Sequence, residues 1–274
     1  YTRYGSSSNS LSHTSILSLH KDMQGNIWVG TYYGGVNVFN PDKNNHSFYC
    51  AEPLREDCLS FPVVGKMTED SAGNVWICTE GGGLNCYHGD TGVFSRYMYH
   101  KGDQGTLGSN NVKSIFYRKE NNRLYAGTHL GGLFVLDLKS NKGHTLHHVT
   151  GDPASLPHEI VNDIQEYKDG IAMLTQGGPV FFDPVTEKFS PLTDDPSVQK
   201  LISREYAFET FLIDSRHRMW LAVGGGGIVC VNLSSSKVTQ YMADSEKDTL
   251  TVGRYKTVHI FEDNKAVSYT HLRA

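Results

Sequence analysis

Apolar residues in this chain come in strand-length runs separated by polar, glycine-bearing turns, and the runs recur in a fixed order. Five glycine pairs (Gly34-Gly35, Gly82-Gly83, Gly131-Gly132, Gly177-Gly178 and Gly226-Gly227) fall about 48 positions apart, a spacing that marks a structural repeat. Ahead of each pair the run predicts one strand, b, at 27–31, 75–79, 124–128, 171–175 and 219–223. Upstream of b lies a strand a, at 16–20, 63–68, 112–117, 161–167 and 210–213, with a further copy at 258–261. After the glycines a strand c follows at 36–40, 84–87, 133–138, 180–183 and 228–233. A polar turn then leads to a strand d, as in Phe94–Tyr97 and Val238–Tyr241.

The a–b turns read Asp22-Met23-Gln24-Gly25-Asn26 and Asp70-Ser71-Ala72-Gly73-Asn74. There Asp can bond the turn's own amides and Gly supplies the positive φ of a hairpin bulge. Strands b and c are apolar on both faces, so each four-stranded sheet must be covered on both sides by sheets like itself. The fold class that follows is all-β: a β-propeller of four-stranded antiparallel blades. About five blades are full, at roughly 12–50, 60–98, 109–149, 158–192 and 207–242, with partial blades at both ends, as in a piece of a seven-bladed ring. Residues 1–4 read as strand d of a preceding blade and 255–265 as the start of a sixth. The tail 266–274 lacks the repeat's Trp and Gly-Thr and is expected to be foreign or truncated and to pack poorly. The aromatic at the head of b (Trp28, Trp76, Tyr125, Trp220) recurs at one repeat position, which argues for packing between blades and against a sugar-stacking platform.

Composition fits many short strands and tight turns, with 28 glycines beside 15 tyrosines and 12 phenylalanines among 274 residues. A net charge of −4 without a Lys/Arg stripe argues against nucleic acid as a partner. The longest apolar runs, such as Gly178 to Phe182, fall far short of the roughly 20 residues that cross a bilayer. Five cysteines include no C-x-x-C pair. Cys78, Cys86 and Cys230 sit in strands and read as buried thiols, whereas Cys50 and Cys58 flank one loop, where a disulfide and two free thiols both stay open.

The segments Asp22–Val36 and, with Cys in place of the first Gly, Asp70–Leu84 resemble the two-component regulator propeller repeat. Linkers of the form Ser-Leu-(polar)-Val agree, at Thr106-Leu107 to Val112 and Ser155-Leu156 to Val161, and the resemblance extends over roughly residues 8–262. It implies a periplasmic sensor region of a membrane-spanning hybrid histidine kinase and response regulator. In that family a second propeller and an immunoglobulin-like domain belong to the same chain, the parent assembles as a homodimer, and many members detect glycan fragments. The kinase chemistry would lie elsewhere in the parent, so no catalytic residue is expected here.

A search for chemistry agrees: there is no Gly-x-Ser-x-Gly, no Gly-x-x-x-x-Gly-Lys and no His-Glu-x-x-His. The histidines 144, 147 and 148 have no nearby carboxylate to complete a metal site, and Asp194-Asp195 reads as a solvated turn. No metal or cofactor is expected. A ligand site on this architecture belongs where the b–c and d–a loops meet, at one mouth of a propeller channel. The b–c turns offer Tyr32, Tyr33, Glu80, His129-Leu130 and Gln176, and the d–a loops Arg55, Asp57, Asn110, His158, Glu159 and Arg204. Rings beside amides and charges suit an oligosaccharide or another small molecule, with Arg55, His158 and Arg204 meeting an acidic one. Two other readings stay open: a propeller-fold lyase or glycoside hydrolase, which needs carboxylates such as Glu80, Glu159 or Asp57 paired with a raised pKa, and a protein-binding scaffold.

Overall fold

Each glycine pair closes a hairpin in the computed structural model, which describes residues 10–43, 45–52, 55, 57–204, 207–224, 226–241, 256–263 and 268–273. The expected strand d at 1–4 lies outside the described residues. The chain divides into two compact units, one ending at His147 and the other beginning at His148.

The first unit holds three blades, each an antiparallel sheet in chain order. Blade one is β1 (Ile16–Lys21), β2 (Ile27–Thr31), β3 (Val36–Asn40) and β4 (Asn45–Tyr49). Blade two is β5 (Val64–Glu69), β6 (Val75–Thr79), β7 (Leu84–Tyr87) and β8 (Phe94–Tyr97). Blade three is β9 (Val112–Arg118), β10 (Arg123–Thr128), β11 (Leu133–Asp137) and β12 (Lys142–Leu146). The blades pack face to face. Trp28 and Val36 of blade one share a core with Leu59, Val64, Val75, Ile77 and Phe94, and Trp76, Cys78 and Leu84 share the next with Val112, Leu124, Ala126 and Phe134. Buried side chains on both faces of b and c are what the continuous apolar runs required.

The second unit begins with blade four, β13 (Val161–Tyr167), β14 (Gly170–Thr175), β15 (Gly178–Asp183) and β16 (Lys188–Pro191), followed by a helix α1 (Pro196–Arg204). Blade five is β17 (Phe208–Ile213), β18 (Arg218–Val223), β19 (Ile228–Asn232) and β20 (Val238–Tyr241). A hairpin of β21 (Lys256–Glu262) and β22 (Ser268–Arg273) completes it. The non-repeat tail thus supplies a second strand along β21, because main-chain pairing does not need the missing Trp or Gly-Thr.

Two expectations need correction around α1. The polar loop at Asp194-Asp195 is a helix start, with Asp195 Oδ1 accepting the amides of Ser197 (2.9 Å) and Val198 (3.2 Å) and Pro196 in the first turn. Val198 and Ile202, spaced for one helix face, are buried in the core of blades four and five. Arg204, expected in a d–a loop, is the last residue of this helix.

The repeat's motif residues hold the turns. Asp22 Oδ1 accepts the amides of Gln24 (3.0 Å) and Asn26 (2.7 Å), while Oδ2 takes the Asn26 side-chain amide (2.7 Å) and the Trp28 indole N–H (2.8 Å). Asp70 repeats the set around Ala72, Asn74 and Trp76, and Asp214 around Arg216, Arg218 and Trp220. Trp28, Trp76 and Tyr125 are buried, so packing is their role, as the repeat position implied. At the other end of the blades, Thr31, Thr79, Thr128 and Thr175 each donate a hydroxyl to the carbonyl of the second glycine of the pair, Gly35, Gly83, Gly132 and Gly178.

Blade one contains a partly buried titratable group. His20 on β1 is partly buried with its Nε2 atom unpartnered, and burial pushes its pKa below 6.5, with nearby Asp22 opposing that shift. A depressed histidine pKa means that the folded state resists protonation, so the contribution is intact above pH 6.5 and is lost as pH falls through the lower folded value. Between pH 7.5 and pH 5.5 the melting temperature should therefore fall more steeply for the natural chain than for His20→Gln. Equal slopes in thermal melts would remove this histidine from the account.

Candidate functional site

The end of the blades that carries the b–c turns is where the sequence placed ligand contacts, and it contains a backbone anomaly. The residue before the glycine pair adopts positive φ in all three blades of the first unit: Tyr33 (67°), Gly81 (130°) and Leu130 (61°). Glycine suits that conformation, whereas a bulky side chain there costs about 1–2 kcal/mol. Yet Tyr33 and Leu130 are also exposed, at 61% and 64%. Their side chains offset little of this cost by burial, so the strain holds apolar groups out at the turn tips. In blade two the same position is Gly81, and the ring of Phe61 lies over it.

Tyr32 completes an aromatic pair with Tyr33, the ring centroids 4.5 Å apart and edge to face at 72°, and it is itself 40% exposed. The Tyr32 amide donates to the Ser15 carbonyl (3.0 Å), which fixes the turn against the d–a loop of its own blade. The same tie recurs as Glu80 N to Val63 O, His129 N to Asn111 O and Gln176 N to Ile160 O. The first residue of each of these four b–c turns is therefore anchored through its backbone in the same way.

The charged residues are more engaged than their positions suggested. Arg55, the natural partner were the ligand acidic, forks onto Asp57, Nε to Oδ1 at 3.0 Å and a terminal nitrogen to Oδ2 at 2.8 Å, with Glu52 at 3.7 Å. Both groups are exposed, and the Arg55 hydrogen bond holds the Asp57 carboxyl below the usual range. Glu80 pairs with Lys113 Nζ at 3.2 Å. Glu159 accepts the His148 amide (2.9 Å), and His158 Nδ1 accepts the amide of Ile160 (3.1 Å). Asn110 caps its own loop: its Oδ1 accepts from Tyr99 N and its carbonyl from Gly81 N and Gly83 N. Among these residues the structure brings together Tyr32 with Tyr33, Glu80 with Lys113 and Arg55 with Asp57. His129 stands in the first unit beside Leu130, and His158, Gln176 and Arg204 lie in the second.

The paired carboxylates that an enzyme reading required are not what these contacts give. Glu80 and Asp57 each face a cation, and the carboxylate pushed upward by burial, Glu69, lies at the end of β5, where it accepts the Met23 amide (2.7 Å) beside the a–b turn. Among the described residues no group of three or more His, Cys, Asp or Glu is placed to hold a metal.

Sequence reasoning missed a recurring polar latch next to this end. Asn37 and Asn85 on strand c are buried, each accepting an amide (Ser12 N, 3.1 Å; Ser60 N, 2.8 Å) and returning a bond to the same residue's hydroxyl (2.7 and 2.8 Å). In blade three Gly108 and Phe134 hold these positions, so the polar partners change together with the apolar ones. That exchange at one repeat position was the available signal. A cavity of about 170 Å³ lies at the opposite end, between blades one and two, lined by Asp22, Asn26, Asn40, Asn45, Tyr49 and Tyr87 among others. Its carboxylate is saturated by four donors, and its size and polar wall suit a few ordered waters.

Residues 10–33 match the family model described as two component regulator propeller, over the first a–b hairpin and the head of its b–c turn. That segment is similar to one two-component regulator propeller repeat. Solved structures extend the likeness in fold to nearly the whole chain. The extracellular domain assigned to the hybrid two component system BT3049 from B. thetaiotaomicron aligns with a TM-score of 0.76 at 22% identity, over 99% of this chain and 34% of that one. The corresponding domain of BT4673 from the same organism aligns at 0.68 and 18% identity, over 94% and 36%. A catalytically inactive virginiamycin B lyase from Staphylococcus aureus, solved with quinupristin, aligns at 0.67 and 11% identity, over 96% and 78%. The chain thus has a β-propeller fold and spans about a third of the two-component structures it matches. No curated protein matches its sequence. Among the described residues no helix is long and apolar enough to cross a membrane.

Proposed function

We propose that this chain is part of the periplasmic, ligand-sensing region of a hybrid two-component signalling protein, and that it binds an oligosaccharide or a related small molecule without transforming it. The observation that carries the reading is the pair of turn tips at Tyr33 and Leu130. A side chain held in a costly conformation and left in solvent is accounted for by what it touches when a ligand or partner arrives. The Tyr32–Tyr33 pair offers stacking for sugar C–H faces, and the b–c turns of the next two blades carry, in Glu80 with Lys113 and in His129, donors and acceptors for hydroxyls. The regulator-propeller repeat and the extracellular domains assigned to hybrid two component systems support the signalling context. In that context the partners are a second propeller and an immunoglobulin-like domain of the parent chain, which acts as a homodimer.

The test uses the parent's whole extracytoplasmic region in a thermal-shift screen against neutral and acidic oligosaccharides, with each mixture analysed for breakdown products. A ligand that binds only the folded state raises the melting temperature by mass action, by about 2.7 kcal/mol of added stability at a hundred times its Kd. A shift without products supports the reading, whereas consumption of the glycan would move the chain to the lyase or hydrolase class.

A further inference from the structure

We propose that Cys50 and Cys58 form a disulfide that closes the loop joining blade one to blade two. This inference draws on the periplasmic reading only for the source of oxidant. Its geometric basis is an isolated parallel bridge between Ala51 and Leu59. In parallel pairing the two segments run in the same direction, so one step back from the bridge sets Cys50 opposite Cys58. Neighbouring strands lie about 4.8 Å apart, inside the window of roughly 4.4–6.8 Å between Cα atoms that a disulfide spans.

The base of this loop is already held in place by a neighbour. The Arg96 guanidinium on β8 donates to the carbonyls of Cys58 (3.0 Å), Leu59 (3.2 Å), Glu52 (3.5 Å) and Arg55, while the Phe94 amide donates to the Asp57 carbonyl (3.2 Å). Leu59 itself is fully buried. Closing the bond therefore constrains a segment whose ends are fixed, and it anchors the loop that carries the Arg55–Asp57 pair.

All five cysteines are thiols in this structure, and they divide into two classes. Cys78, Cys86 and Cys230 are buried within sheets, where burial pushes the thiols up, that of Cys86 to about 12, so they have little thiolate to react with. Cys50 is exposed and Cys58 partly so, which leaves both within reach of an oxidant in solution, although desolvation, against the opposing Arg55 charge, pushes the Cys58 thiol up as well. The step is a thiol–disulfide exchange with a small-molecule or protein disulfide. The Cys50 thiolate attacks one sulfur of the oxidant and expels a thiolate, and the Cys58 thiolate then attacks the Cys50 sulfur and expels the second. Two protons leave the cysteines, and two electrons reduce the oxidant to a pair of thiols.

The experiment takes the purified chain, equilibrates it with oxidised glutathione, caps native thiols with N-ethylmaleimide and maps the peptides by mass. Expected are a linked Cys50–Cys58 peptide, about 2 Da lighter than its reduced parts, and a fall in accessible native thiols from the two loop cysteines to none. Protease cleavage between the two cysteines should slow about tenfold on oxidation. The double variant Cys50→Ser/Cys58→Ser, melting like the reduced natural chain, should show neither change. Full capping of both cysteines after oxidation, or arrest at separate glutathione adducts, would overturn the proposal. A linked pair in vitro together with free thiols in protein trapped with N-ethylmaleimide in its own intact cells would support the pair and count against the periplasmic reading.

Discussion

Replacing Gly83 by alanine is expected to destabilise the first unit by about 3–5 kcal/mol, while the same change at Gly102 should cost about 1 kcal/mol. Both glycines have positive φ, 73° and 86°, so the conformational strain on alanine is alike. What differs is space. A Cβ on Gly83 would lie 2.3 Å from the Tyr97 carbonyl oxygen, a backbone atom that can retreat only by breaking the β7–β8 pairing at Leu84 and Tyr97, whereas a Cβ on Gly102 meets nothing within 4 Å. Thermal melts of the two variants check this, with a fall of about 10 °C expected for Gly83→Ala and a few degrees for Gly102→Ala. Equal losses would mean that the second glycine of the pair serves only φ and not the close approach of strand d.

Asp70→Ala should cost about 3 kcal/mol although it removes no large side chain. Asp70 is buried and takes four donors: the amides of Ala72 (2.9 Å) and Asn74 (3.0 Å), the Asn74 side chain (3.0 Å) and the indole N–H of Trp76 (2.8 Å). The turn amides can turn to water, but the indole sits on a ring that is 3% exposed, and its unpaired N–H would bear the full desolvation penalty. In a double-mutant cycle Trp76→Phe should therefore hurt less in the Asp70→Ala background, by at least about 1 kcal/mol. Additive losses would separate the carboxylate from the ring. Blade three supports the coupling: Lys119 stands where the repeat has Asp, Tyr125 replaces Trp, and its hydroxyl is met instead by Asn121 (2.8 Å).

The blades were legible because their signals are local and repeated. Turn chemistry at Asp22–Asn26, the glycine pairs and two-faced apolar runs each depend on a few neighbouring residues, so all five four-stranded sheets were located, with bounds such as Val161–Tyr167 and Phe94–Tyr97 matched to the residue. Helix α1 was missed because a polar, proline-bearing stretch between blades reads as loop. Asp195-Pro196 followed by Val198, Leu201 and Ile202 was nevertheless a helix start with one apolar face. Side-chain partners were the least legible layer. Arg55 was placed on the correct loop, but its fork onto Asp57 depends on rotamers two residues apart, and Glu80's pairing with Lys113 depends on how one blade meets the next. The strain at Tyr33 was invisible for the same reason, since a sequence does not print φ.

Tyr33→Gly exposes the central claim most directly, because strain and function pull it in opposite directions. Relief of about 1–2 kcal/mol of left-handed strain is set against glycine's added backbone entropy, about 0.5–1 kcal/mol, so the variant should melt no lower than the natural chain. The decisive measurement is a calorimetric titration of the parent's extracytoplasmic region, natural and Tyr33→Gly, with the oligosaccharide that gives the largest thermal shift. Affinity lost by tenfold or more from a variant of undiminished stability is the predicted result, and unchanged affinity, or a variant that melts lower, would contradict it.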